Sequence, residues 1–505
     1  EAKIVELSET GDLAALAKLR ERVPAGLVEV MRVPGLGPKT ARKLWEELGV
    51  KDVDDLRAAA RAHRLRDLPG LGAKTEEKVL QALDGPATAK VATGRTLLGR
   101  ALPFVRSVVE ELREHPAAVR VSEAGSVRRR TETVRDLDVI ATASDAGALI
   151  AHFTSRPWVA DVEAQGQTKA TVVSHDGLRF DLRVVPPDCF GNLLQHFTGS
   201  KAHNVALREE AVRRGLSVSE YGVETTATGE VVTMATEAEL YAYLGYDWIP
   251  PELREGAGEL EAARAGELPT LVERADVQGD LHTHTDWSDG KATLDEMVAA
   301  AVARGHRYLC VCDHARRLRD GRLERQAEAI RAVSAAVGEL EVLSGVEVDI
   351  RADGSLDMDD ETLAERDWVV ASIHAGFRDP EERLTGRLLA AIDHPLVDCI
   401  GHPLGRRINR RAPYGVDFEA VVARAAETGT FLEINGQPDR LDLRDSHARL
   451  AAEAGIGILV SSDAHSSAGL DFLDLAISQA RRAWLTAAQI VNTRPWSEVK
   501  AMRKR

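Results

Sequence analysis

Seven times in its second half this chain follows a strand-like run with a helical pattern. The runs are "GDLHTHT" (279–285), "YLCVCDH" (308–314), "EVLSGVEVDI" (341–350), "DWVVASIHAG" (367–376), "VDCIGHP" (397–403), "TFLEINGQP" (430–438) and "GILVSSDAH" (457–465). Parallel strands need long crossovers, usually helices, so repeated β-α alternation predicts a parallel sheet. Most of these runs end in polar, chemically capable residues, as strands do at the carboxyl end of a closed barrel. The second half is therefore expected to be a β/α barrel.

With 505 residues, the chain exceeds one ordinary core, and two to four domains are expected. The formal net charge of -15 argues against indiscriminate binding to polyanions and leaves local basic patches open. Four cysteines (Cys189, Cys310, Cys312, Cys399) make no C-x-x-C pair, which fits buried thiols in a reducing compartment. No apolar run is long enough to span a membrane and no signal-peptide pattern opens the chain, so a cytoplasmic location is expected.

In the first half "VPGLGPKTARKL" (33–44) and "LPGLGAKTEEKV" (68–79) echo each other. Each reads as helix, P-G-x-G turn and a second helix whose N-terminal N-H groups suit a DNA phosphate. Lys39 and Lys74 would add charge there. Between about 118 and 190 alternating runs predict an α+β sheet, followed by a mainly helical piece. "EGAGELEAARAGELP" (255–269), rich in Gly, Ala and Glu, is the linker expected before the barrel.

Two constellations carry chemistry. "GSVRRRTETVRDLDV" (125–139) sets four arginines beside Asp136 and Asp138, which point to one face of a strand. Asp181 in "LRFDLRV" is the third carboxylate, polar between apolar neighbours. Three carboxylates on two strands can bind two divalent ions about 4 Å apart for phosphoryl transfer. Gly125 and Ser126 would let a polyphosphate approach, and Arg129 could hold its oxygens in a fork. In the barrel half, His282, His284, His314, Glu347, His374, His402, Asp463 and His465 fall at strand ends, which predicts a multinuclear metal site.

G-S-x-R-R, E-T, D-x-D, a later strand Asp and "FTGSKAHN" (197–204) resemble the family X DNA polymerases of the nucleotidyltransferase superfamily. The tandem hairpins belong to the same pattern. The resemblance implies a multidomain α+β and α/β chain: a helix-hairpin-helix region (1–85), fingers helices (86–120), a nucleotidyltransferase palm (121–195), a helical thumb (196–254), a linker (255–274) and a seven-stranded β/α barrel (275–505). It implies that Asp136, Asp138 and Asp181 hold catalytic Mg or Mn. Gly125, Ser126, Arg129, Phe197, Gly199, Ser200 and Asn204 would bind the incoming dNTP. Gly35, Gly37, Lys39, Gly70, Gly72, Lys74 and Arg208 would contact gapped or primed DNA. The opening residues resemble the tail of the family's lyase domain, most of it missing, with Lys3 near the Schiff-base lysine.

The second half resembles the polymerase and histidinol phosphatase (PHP) domain over about 275–480. By that resemblance three Zn or Mn ions are held. His282, His284, Glu347 and Asp463 would take one; Glu347, His374 and His402 a second; Asp289, His314 and His465 a third. Glu433 and Asn435 either orient ligands or cap their strand. His306, His394 and His447 are expected to pack or face solvent. Arginines in "RRLRDGRLER" (316–325) and "GRRINRR" (405–411) favour a nucleic-acid backbone over solvated loop charge.

The expected protein is a two-activity repair enzyme, a gap-filling polymerase with a metal-dependent 3'-5' exonuclease. Two alternatives stand beside it. The barrel could be a phosphatase for small phosphomonoesters. Alternatively the first half could be a DNA-binding scaffold with decayed catalysis, since His196, Arg130 and Arg135 depart from the family pattern.

Overall fold

The computed structural model describes residues 23–24, 26–31, 33, 36–68, 71–84 and 95–504, in two compact units that divide after Gly94. Residues 1–22, and with them Lys3, lie outside the described residues, as do Gly35 and Gly70.

In the first unit the two echoed stretches deliver helices Pro38–Leu48 and Ala73–Asp84, with Val53–Arg61 between them. Pro38 opens its helix at the position where a missing N-H costs nothing. Gly49, at φ 73°, ends it in the left-handed conformation. Leu36, Leu44, Leu56, Leu65 and Val79 make the small core. Glu76 is a buried carboxylate that accepts from Leu65 N (3.1 Å), Arg66 N (3.2 Å) and Arg66 Nε (2.8 Å), which ties the two arms of the second hairpin together.

The second unit begins with helix Leu98–Arg113, which covers a five-stranded sheet. Its strands are β1 (Ala118–Glu123), β2 (Asp136–Ala143), β3 (Val159–Gln165), β4 (Lys169–Ser174) and β5 (Arg179–Val184), in the order β1-β2-β5-β4-β3. Only β2 and β5 run parallel. Leu137, Val139, Phe180 and Leu182 are buried while their neighbours face out, the alternation that the sequence carries. Strand β3, "VADVEAQ", lies exposed along the sheet edge and has no apolar pattern to announce it.

Helices Phe190–Thr198 and Lys201–Arg213 follow, with a ribbon of β6 (Leu216–Ser219), β7 (Gly222–Thr225) and β8 (Glu230–Val232). The expected linker 255–274 needs correction, because it is folded. Helix Glu259–Ala265 occupies it, and Leu260, Ala263 and Leu271 enter the thumb's apolar cluster. Gly258 (φ 97°) and Gly266 (φ 71°) flank that helix. These glycines, taken from composition as flexibility, are turn residues.

The barrel has seven parallel strands in chain order: β9 (Gly279–Thr283), β10 (Tyr308–Val311), β11 (Glu341–Asp349), β12 (Trp368–Ser372), β13 (Cys399–Ile400), β14 (Phe431–Asn435) and β15 (Ile458–Ser461). A bridge from Thr283 to Ala464 brings its first and last strands together, with His284 N donating to Ala464 O at 2.8 Å. Most strand residues are buried on both faces, as expected of a sheet covered by helices. Cys310 and Cys312 are buried free thiols, as expected. A Cβ on Gly345 would lie 2.5 Å from Cys310 Sγ, so the facing strand has no room for a side chain.

Palm and barrel share a core: Leu441 and Leu475 of the barrel half belong to the palm's apolar cluster, with Ile408 and Phe472 against it. The buried Arg406 bonds both Glu132 (2.5 Å) and the Leu441 carbonyl. Arg482 donates to the Arg129 carbonyl and to Glu255, each at 2.9 Å.

Two candidate active sites

The strand pair β2/β5 aligns Asp138 directly with Asp181 and Asp136 with Arg179. All four side chains thus share the polar face, as the alternation predicts. Burial, reinforced by the charges of Asp181 and Asp136, pushes the Asp138 carboxyl up to about 7. Arg179 stands between the outer two, its Nη1 3.2 Å from Asp136 and 2.9 Å from Asp181. Thr171 Oγ1 donates to Asp181 at 2.5 Å. The aspartates share a face, yet the clusters compact enough for an ion, among the described residues, all lie in the barrel.

Gly125 has φ +63°, and a Cβ there would sit 2.2 Å from Asp138 Oδ2. The glycine is therefore required by the carboxylate packed against it. The arginines beside it are largely committed. Arg128 forks onto Glu237 (2.8 and 2.7 Å), and Arg129 bonds Glu255 (3.0 Å) and the Thr198 carbonyl. Arg130 pairs with Glu123 at 3.1 Å, whereas Arg135 is exposed beside Asp136. Three of the four thus spend donors on the protein, and Arg129 keeps less than a full fork free. The extra charge of Arg130 is neutralised in place.

On the thumb, Phe197 lies under the Arg183 guanidinium, 4.4 Å from ring centroid to Cζ. Gly199 adopts φ +61° near Arg129. Ser200 caps the following helix by accepting from His203 N at 3.2 Å. Asn204 donates to the His196 carbonyl and accepts from Gln195, both at 2.8 Å. Arg208 meets the His196 ring at 2.8 Å. In the first unit, Gly37 and Gly72 face open space, and Lys39 is exposed on its helix. Lys74 sits in the first turn of the second helix.

The barrel site converges on one buried carboxylate. Glu347 Oε2 is 3.0 Å from His314 Nδ1 and 3.6 Å from Nε2 of both His282 and His284. Its Oε1 is 3.1 Å from His402 Nε2 and 3.3 Å from His374 Nε2. Asp463 lies 3.1 Å from His284 and 3.9 Å from His282, while Asp289 lies 3.4 Å from His465 and 3.5 Å from His314. All nine expected residues are thus together. The compact groupings differ in detail: His284 joins Asp289, His314 and His465, and His314 joins Glu347 and His374.

This array fits divalent ions. Nε2 of His282, both ring nitrogens of His284, Nδ1 of His314 and Nδ1 of His402 are buried without a hydrogen-bond partner, an arrangement that costs free energy unless a cation takes the lone pairs. Imidazole with carboxylate suits zinc or manganese. Burial opposes charge on Glu347, but His374, His314 and His282 hold it well below the usual carboxylate range. Burial also opposes protonation of His314 and His374, and Glu347 first among their neighbours carries them up to about 10 and about 9. Burial takes His284 and His402 down to about 4.

A surrounding layer orients the ligating rings. Glu433 takes His282 Nδ1 at 2.6 Å and also accepts from Ser461 Oγ (2.5 Å) and His402 N (2.6 Å). Asn435 donates to Glu433 (3.1 Å) and Asp463 (3.0 Å) and also caps the strand end by accepting from Gln437 N at 3.0 Å, so it both orients and caps. Sequence reasoning missed Asp349, 2.6 Å from His374 Nδ1, although E-x-D on β11 places it on the Glu347 face. It also missed Arg440, which lines the cavity. His306, His394 and His447 lie outside the cluster, against Arg274, Asp360 and the Phe418 ring.

The cavity over the cluster measures about 410 Å³, with Lys291, Arg316, Arg407 and Arg440 in its wall. The two arginine-rich loops divide their labour: Arg406 is buried and Arg322 donates to Trp287 O (2.8 Å), so only part of each loop faces the opening. A larger groove, about 790 Å³, sits at the opposite end of the barrel strands by Gln278 and Arg307 and has a single carboxylate, Asp276, in its lining and no histidine or cysteine.

Three family models match the chain: SAM-like helix-hairpin-helix tandem over 27–84, DNA polymerase beta thumb over 193–255, and PHP domain over 280–435. The DNA polymerase/3'-5' exonuclease PolX of Bacillus subtilis (strain 168) is 39% identical over 514 residues, covering 99% of this chain and 89% of the relative. A probable phosphatase of Thermoanaerobacter sp. (strain X514) is 33% identical over 42% of this chain, and one of Syntrophotalea carbinolica is 28% identical over 42%. The chain belongs to the family X DNA polymerases that carry a C-terminal PHP domain. No helix among the described residues is long and apolar enough to cross a membrane.

Proposed function

We propose that this protein is a DNA polymerase and 3'-5' exonuclease that fills short gaps and trims primer ends during repair in the cytoplasm. The observation that carries the reading is the convergence of eight ligand-type side chains on Glu347, in the same compact unit as the Asp138/Asp181 strand pair. Asp136, Asp138 and Asp181 hold Mg or Mn, and the barrel cluster holds three Zn or Mn. Bound there, the ions supply electrostatic stabilisation of charge on attacking and leaving oxygens. Gly125 and Ser126 admit the triphosphate, and Arg129 with Gly199, Ser200 and Asn204 shapes its pocket. Phe197 offers a ring face to the nucleotide. Arg179 neutralises Asp136 and Asp181 before the ions arrive. Gly35, Gly37, Lys39, Gly70, Gly72 and Lys74 grip the DNA backbone, and Arg208 approaches the template strand.

A labelled primer on a gapped template with Mn tests this. Lengthening with dNTPs and shortening without them is expected; shortening alone would leave the first half as a DNA holder. The likeness of the barrel to probable phosphatases motivates a second reading, hydrolysis of small phosphomonoesters. Rapid phosphate release from monoesters with no shortening of DNA would favour it.

A further inference from the structure

We infer that Arg440 binds the charged nonbridging oxygen of the phosphodiester in the barrel site. This inference rests on the exonuclease reading of the barrel. Arg440 lines the cavity with His374, His402 and Asp463, and its side chain is only 11% exposed. Its guanidinium makes no hydrogen bond to a described residue, and its one ion pair is a long one, 3.9 Å from Nε to Asp463 Oδ2. The charges of the buried Asp442 and of Asp463 offset part of its own, but a nearly buried guanidinium beside a site built for several cations stays electrostatically expensive unless a further anion lies between them. The substrate phosphate is that anion, and the planar fork of an arginine matches its oxygens.

The loop fixes the backbone that carries Arg440. Arg440 N donates to Gln437 O at 2.8 Å, and Gln437 N donates to Asn435 Oδ1 at 3.0 Å. Leu441 is anchored in the palm's apolar cluster, and Asn435 and Asp442 form a bridge. The backbone position of the donor is thus set before substrate arrives, which favours a preorganised contact. Lys291, Arg316 and Arg407 belong to the same cavity wall but are less enclosed, which suits them to the chain beyond the scissile linkage.

The test compares calorimetric binding of a dinucleoside phosphorothioate with that of its uncharged methylphosphonate counterpart, on the full chain as purified, with metal content measured alongside. The wild type is expected to prefer the charged ligand by roughly tenfold or more. Arg440→Met should lower that preference several-fold with its metal content intact, the remainder coming from the ions, and Arg440→Lys should recover part of it. A preference unchanged in Arg440→Met would overturn the inference. So would loss of metal from that variant, which would make Arg440 only a counter-ion of Asp463. Failure of the wild type to bind either dinucleotide would instead overturn the exonuclease reading.

Discussion

The palm and the barrel each gather groups that would hold divalent cations against phosphate, with opposite degrees of enclosure. In the palm, three carboxylates stand on the face of a half-solvated sheet, and Arg179 occupies the space between Asp136 and Asp181. In the barrel, Glu347 is fully enclosed by imidazoles, and Glu433 and Asp349 fix His282 and His374 from behind. An open site, with Arg179 as a displaceable counter-ion, would exchange its ions and nucleotide readily, whereas a closed one, desolvated in advance and with its rings fixed, would hold ions for longer.

The sharpest break between the two is genetic. Asp138→Asn should lower primer extension by about 10³-fold or more and leave trimming within about twofold, whereas Glu347→Gln should do the reverse. Parallel sequencing gels of both variants check this, and loss of both activities in either would dissolve the division of labour. Removing the orienting layer should cost less: Glu433→Gln or Asp349→Asn should weaken metal retention or trimming by about 10- to 100-fold, read by chelator competition.

Acidity separates the sites further. Below about pH 7 Asp138 carries a proton that an incoming ion must displace, so palm affinity should rise with pH and level off above 7. In the barrel, His314 and His374 retain protons up to about 10 and about 9, so affinity there should keep rising through pH 8. Titrations with Mg and Mn across pH 6–9 distinguish the two curves. Smaller still is the seam between the halves: Arg406→Met should destabilise the second unit by about 2–4 kcal/mol, because Glu132 loses its buried partner. A calorimetric scan checks it, and an unchanged melting profile would show the seam to be incidental. Lys39→Gln should have the mildest effect, a few-fold loss of DNA affinity and a salt slope shallower by about one.

The sequence by itself determined the seven-stranded alternation, the D-x-D face with its Asp181 partner, and the eight strand-end side chains of the barrel cluster, because strand periodicity and barrel topology dictate where such residues point; Asp289 came only from the resemblance to the PHP domain. It also carried E-x-D on β11, where Asp349 went unread. Tertiary structure alone decided the rest. The Gly-rich stretch after Arg254 becomes a helix since Leu260 and Ala263 pack into the thumb core with Leu207, Val223 and Leu240, partners that its composition does not express. Arg128, Arg129 and Arg130 are claimed by Glu237, Glu255 and Glu123, of which two are more than a hundred residues distant. Arg440 acquires its place from a loop anchored in the palm. Periodicity is a local property of the chain and can be read from it; the pairing of a charge is settled only when distant segments pack, and burial then selects which partner it meets.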